Sequence, residues 1–145
     1  MNFEQEFRHS HGQPFISGGV QYMLSYNMKA PMSGCLLITL RQSIRVPTQG
    51  VRIDCDVAMT LDDHSSQAFN IWADMDPRVL RVACQPSSEV MIRNIWDHGD
   101  GVVHSWHAGA AMHMETTPDG VITLYCNSTL KNTHCRDLIV DVSSG

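Results

Sequence analysis

Val51-Arg52-Ile53-Asp54-Cys55-Asp56-Val57-Ala58-Met59 is the stretch whose reading decides the fold. Its apolar residues, Val51, Ile53, Cys55, Val57 and Met59, alternate with Arg52, Asp54, Asp56 and Ala58. A period of two describes a strand with one face on a core and the other in water. A helix would wrap Ile53 and Asp54 onto overlapping faces and bury charge. Working outward, comparable short runs are Gln21–Met28, Leu36–Arg41, Ala68–Trp72, Val79–Cys84, Val90–Ile95, Val102–Trp106, Met112–Glu115, Val121–Cys126 and Leu138–Val142. The breaks between them carry turn chemistry, as in Ala30-Pro31-Met32-Ser33-Gly34, Val46-Pro47-Thr48-Gln49-Gly50 and Asp76-Pro77. Thr117-Pro118-Asp119-Gly120 predicts a hairpin, because Asp-Gly tolerates positive φ between two alternating runs. No long window carries a sustained helical stripe. The chain therefore reads as all-β, a jelly-roll β-sandwich of two antiparallel sheets over residues 19–145. Residues 1–18, rich in His, Gly and Gln, read as an extended or mobile N-terminal arm.

Composition narrows the function. The 145 residues are 43% hydrophobic and 17% charged, which suits one globular domain. A formal charge of −5 with 10 scattered Lys and Arg argues against nucleic acid or an anionic membrane as the main partner. The most apolar run, Cys35–Leu40, is too short to span a bilayer. The opening Met-Asn-Phe-Glu-Gln-Glu-Phe-Arg-His lacks a basic region followed by an apolar core, so no secretory signal is expected. The five cysteines, Cys35, Cys55, Cys84, Cys126 and Cys135, are odd in number, form no Cys-x-x-Cys pair and mostly sit in alternating runs. They read as reduced core thiols, which implies a cytoplasmic chain that would leave the cell only by a non-classical route. Asn127-Ser128-Thr129 is formally a glycosylation sequon that such a chain would not use.

The order and spacing of these runs resemble the galectin carbohydrate-recognition domain over roughly residues 20–140. Met28-Lys-Ala-Pro-Met-Ser-Gly-Cys-Leu-Leu-Ile-Thr-Leu40 looks like the family's opening turn and strand, and Gly50-Val-Arg-Ile-Asp-Cys55 falls where its next long strand lies. Ala68-Phe-Asn-Ile-Trp72 and Arg78-Val-Leu-Arg-Val-Ala-Cys-Gln85 are similar to its central hairpin. His104-Ser-Trp-His-Ala-Gly109 resembles its Phe-Pro-Phe-x-x-Gly segment, and Asp119–Asn127 with His134-Cys-Arg136 its penultimate strands. The resemblance implies a non-catalytic, lectin-like glycan-binding domain with no cofactor and no bound metal. Galectins read sugar with a His-x-Asn-x-Arg strand, an Asn one strand later and a Trp-x-x-Glu-x-Arg segment. Those positions hold Asn70, Trp72 and Asp74, then Gln85, then Trp96, Gly99 and Gly101. Only Trp96 matches outright. The implied carbohydrate-binding set is therefore Trp96, Asn70, Trp72, Asp74 and Gln85, with a specificity moved away from β-galactosides.

Chemistry supports parts of this set. A sugar offers an apolar face to an aromatic ring, and its hydroxyls need fixed amides, carboxylates or guanidinium groups. Asp74 in place of an Arg turns a five-donor fork into an acceptor and reverses local charge. Two other readings compete. A protein–protein interaction module could keep the scaffold without the sugar, using the nine Met residues as an adaptable surface and open edge strands to pair with a partner or a second copy. A cupin-like metal enzyme would use His98, His104, His107 and His113 with Asp97, Asp100 and Glu115. On a strand, however, His104 and His107 would face opposite sides. No Gly-x-Ser-x-Gly elbow or Gly-rich phosphate loop is present, so nucleophilic or nucleotide chemistry has no motif to rest on.

Overall fold

The stretch from Val51 to Met59 lies inside one long strand, Thr48–Leu61, in the computed structural model, which describes residues 1–74, 78–130 and 132–145. The alternation appears directly in burial. Val51, Ile53, Cys55 and Met59 are buried, while Arg52 and Asp54 point the other way and stay half-buried. Val57 departs from the pattern at 39% exposed, because the pairing register shifts between Asp54 and Met59. Such a bulge bends the strand and re-aims its side chains.

In chain order the described residues form a helix, α1 (Phe3–His9), and eleven strands: β1 (Phe15–Ser17), β2 (Val20–Tyr22), β3 (Tyr26–Lys29), β4 (Cys35–Ser43), β5 (Thr48–Leu61), β6 (His64–Trp72), β7 (Val79–Ala83), β8 (Glu89–Asp97), β9 (Ala111–Thr116), β10 (Ile122–Asn127) and β11 (Leu138–Ser144). The fold is an all-β sandwich of antiparallel strands. One large curled sheet runs β3-β8-β5-β7-β4-β11-β10-β9, with β6 added alongside β5, and β1-β2 make a separate hairpin. β5 belongs to both layers. Residues 48–55 pair with β8 and residues 50–54 with β6, while Thr60 near the strand's far end meets Ala83 of β7. The layers β3-β8-β5-β6 and β7-β4-β11-β10-β9 are therefore joined through the bulged end of one strand. Leu36, Ile38, Leu124 and Val140 from the second layer meet Val51, Ile53, Ile71 and Ile92 from the first to form the core.

Four features differ from the sequence reading. Residues 1–18 are not simply extended. Asn2 caps α1 by accepting from the Gln5 backbone N–H at 3.1 Å, and Phe3 and Phe7, one helical turn apart, pack on Tyr22 and Phe15 with ring centroids 4.9 and 4.8 Å apart. A seven-residue helix is too short to persist alone, so this aromatic cluster is what holds it. Gln21–Met28 is not one strand but two, β2 and β3, separated near Met23, which bridges to Met112. Val102–Trp106 is a loop touching the sheet through the single bridge Trp96↔His104. β11, near the C-terminus, sits between β4 and β10 and so fills the sheet interior rather than leaving an edge open there.

Two hairpins show how turn residues set register. Gly120 adopts φ 86° between β9 and β10, as Asp119-Gly120 predicts. Asp62 and Asp63, at φ 47° and 68°, make the tight turn from β5 to β6 with the residue type most tolerant of that region after Gly and Asn. The Asp76-Pro77 turn lies outside the described residues.

Candidate functional site

Outward-facing residues of β3-β8-β5-β6 line up in cross-strand rows fixed by register. Asn27, Met91, Asp54 and Ala68 form one row, Arg93, Arg52 and Asn70 the next, and Ile95, Gly50 and Trp72 the third, in which Ile95 and Gly50 are covered and Trp72 is half-buried. The even positions of the quoted stretch thus become the floor of a surface. Arg52 Nε donates to both oxygens of Asp54 at 3.1 and 3.2 Å, and its Nη1 donates to Asn70 Oδ1 at 3.5 Å. Arg93 reaches the same carboxylate, Nη1 to Asp54 Oδ2, at 3.6 Å. Gly50 lets Trp72 lie across the sheet, since a Cβ there would stand 2.8 Å from Trp72 Cε3 and 2.6 Å from the Ile71 carbonyl. Beyond the first row opens a cleft of about 670 Å³ lined by Asn27, Arg52, Asp54, Asp56, Gln67 and Glu89, among others. That volume falls in the range of small-ligand sites.

Trp106 completes the surface. It comes from the loop after β8, where Asp97 Oδ1 accepts the Gly99 and Gly101 backbone N–H groups at 2.7 and 3.3 Å and so folds the segment over the sheet end. Those bonds hold the Asp97 carboxyl below its ordinary range. Trp106 takes φ 61°, a conformation that is a genuine outlier for a bulky side chain. Its ring lies 4.0 Å from the Arg93 guanidinium carbon, within cation–π range, and the residue stays 46% exposed. Burial lowers the Arg93 pKa, and Arg52 beside it adds to that, while Asp54 opposes it.

The expected sugar-binding residues are divided by the fold. Asn70 and Trp72 lie on this outward face. Asp74 is exposed in the segment after β6, beside a second hollow near Arg45 and Arg78. Gln85 lies in the turn between β7 and β8, where its carbonyl accepts from Ser88. Trp96 points inward with Val90 and Ile92 and is 1% exposed, its ring covered by His104 and His107 at centroid distances of 6.1 and 5.4 Å. It therefore presents no ring face to a ligand. Arg52, Asp54, Arg93 and Trp106 were not in the expected set. Parity alone would have put Arg52 and Asp54 on the outward face, whereas nothing in the spacing announces that Trp106 folds over Arg93.

No family model, curated protein or solved structure matches this chain. Residue geometry must carry the reading.

The same geometry places the other candidate residues. His104 and His107 meet, Nδ1 to Nε2 at 3.0 Å, because their segment is a loop and not a strand. Among the described residues no three His, Cys, Asp or Glu side chains are placed to hold a metal ion. His113 lies apart, stacked on Tyr125 at 4.9 Å. Asn127 of the sequon is fully buried, its amide donating to the carbonyls of Gly109, Thr129 and Asn132 at 2.9, 2.9 and 3.1 Å, so the folded chain offers no acceptor nitrogen there. Among the described residues no helix is long and apolar enough to cross a membrane.

Proposed function

We propose that the outward face of β3-β8-β5-β6 is a non-catalytic glycan-binding site. The observation that carries this reading is Trp106, a half-exposed indole held in a costly backbone conformation over a lattice of Arg93, Arg52, Asp54 and Asn70. A left-handed tryptophan costs about 1–3 kcal/mol, and such outliers cluster where geometry serves a ligand. Aromatic surface beside fixed guanidinium, carboxylate and amide groups is what a sugar ring and its hydroxyls require. Rows on one face of a strand repeat about every 7 Å, so the cleft and the arginine row beside it, with Trp106 over Arg93, suit an oligosaccharide better than a single ring. Asp54 spends both oxygens on Arg52, which suits it to orienting a hydroxyl rather than attacking a sugar carbon. The specificity would differ from that of the galectins the sequence resembles, with Trp106 as platform and an arginine pair at the centre. All five cysteines are free, which fits folding in a reducing compartment.

The interaction-module reading draws on one observation. Val102, Val103 and Trp106, on a single loop, are 50%, 44% and 46% exposed and form an apolar strip suited to a protein partner. A glycan-array screen of the purified chain with Trp106→Ala in parallel separates the two. The expected result is selective binding that the variant loses while near-UV circular dichroism stays native-like. A blank array with folded protein would overturn the glycan reading in favour of the protein-binding one.

A further inference from the structure

Arg52 and Arg93 stand directly opposite each other on β5 and β8 and share one carboxylate. Like charges in that cross-strand position repel, and one Asp54 leaves a positive charge over on the row. The sharing is also unequal. Arg52 holds Asp54 through two hydrogen bonds at 3.1 and 3.2 Å, while Arg93 stands off at 3.6 Å. Arg93 Nε lies shut away from solvent with no hydrogen-bond partner among the described residues, and its side chain is 17% exposed. A guanidinium this covered, with donors unspent, is an arrangement that a purely structural ion pair would have little reason to keep.

Resting on the glycan reading of this face, we infer that its ligand is an anionic sugar whose carboxylate or sulfate ester lies across Arg52 and Arg93 beneath the edge of Trp106. An oxyanion there relieves the repulsion between the two guanidinium groups, whose planar forks suit both kinds of anion. The surroundings fix where the anion sits. Asp56 and Glu89 line the far cleft, and among the described residues only Glu89 has a basic partner there, Lys29 at 3.4 Å, so that end repels anions. The arginine row and Trp106 form the other end. The chain's overall charge of −5 also opposes a general affinity for anions, which makes the preference a property of this row.

The test uses the intact chain and three immobilised disaccharides that differ only at the terminal ring: galactose, galacturonate and galactose 6-sulfate. At least tenfold tighter binding of an anionic member than of galactose, weakening as salt is raised, is the expected result, and the two anionic probes tell carboxylate from sulfate. Arg93→Met should erase that preference, and folding of the variant is checked by circular dichroism. The comparison on the unaltered chain decides the matter if the variant is unstable. Equal or tighter binding of galactose would overturn the anionic preference and leave a neutral-glycan site standing. Binding of none of the three, together with a blank array, would overturn both.

Discussion

Two tryptophans ten positions apart show how little the residue type says until its surroundings are known. Trp96 is 1% exposed on the inward face of β8, and Trp106 is 46% exposed on the loop that follows. The first contributes by excluding water from the end of the core, the second by offering surface. Trp96→Ala should therefore lower unfolding free energy by about 3–5 kcal/mol in urea titrations, the cost of a buried aromatic lost to a cavity. Trp96→Phe should recover most of that, and any change in ligand affinity should follow the change in stability. A Trp96→Ala variant of unchanged stability that had lost ligand binding would instead give Trp96 the ligand-facing role that the galectin resemblance implies. The same contrast explains which site residues could be read in advance. Asn70 and Trp72 share a parity and do share a face, and Arg52 and Asp54 follow from the alternation that defines their strand. Arg93 beneath Trp106 depends on a cross-strand register and a left-handed φ, neither of which residue spacing encodes.

Strands whose alternation persists for five or more residues were legible as elements, and their ends were not. Val51–Met59 becomes Thr48–Leu61 because pairing with β6 and β8, rather than local pattern, sets where β5 starts and stops. Val102–Trp106 looks like a strand locally and forms only one bridge, since Asp97 bonds the glycines after it and turns the chain away. α1 escapes a pattern search because seven residues hold just one apolar i, i+4 pair, Phe3 and Phe7, although Asn2 followed by Gln5 is a recognisable cap. The β5–β6 pair carries an element-scale prediction. A methyl at Gly50 would stand 2.6 Å from the Ile71 carbonyl, a backbone atom that can yield only if the two strands part. Gly50→Ala should cost about 1–3 kcal/mol by overpacking, with amide-exchange protection falling most in β6. Gly120→Ala is the control. It meets nothing within 4 Å and carries only the strain of φ 86°, so it should cost about 1 kcal/mol and leave β6 protected. Equal exchange profiles for the two variants would show that Gly50 is not where Trp72 and the site floor are held.

The whole molecule closes over a polar seam, and that seam ties stability to pH. Asp137 is 4% exposed and accepts from the Ser128 backbone N–H at 2.8 Å and from its hydroxyl at 2.9 Å. Ser128 in turn accepts from Gln49 Nε2 at 3.0 Å, joining β5 in one layer to the β10–β11 connection in the other. Cys126 and Cys135 lie close by. Burial first, and then the Asp137 carboxylate, push the Cys135 thiol up to about 12, and burial raises Cys126 further still. A folded chain that holds these protons more tightly than the unfolded chain gains stability that is complete below the ordinary thiol value of 9.0 and drains away as pH climbs toward 12. Tyr22 and Tyr26, also raised by burial, join that loss above their ordinary value of 10.0. His113 sets the acid side. Burial, with Arg136 adding to it and Glu115 opposing, lowers its pKa below 6.5, so the unfolded chain takes up the proton first and stability falls as pH drops through that region. Urea midpoints should accordingly be flat from about pH 7 to 8.5 and fall on both sides. Cys126→Ala should make the alkaline fall shallower without moving its onset, because Cys135 still loses stability above 9.0, while leaving the acid limb untouched. If the alkaline limb of that variant were as steep as the parent's, the buried thiol of Cys126 would not be what makes the closed sandwich sensitive to base.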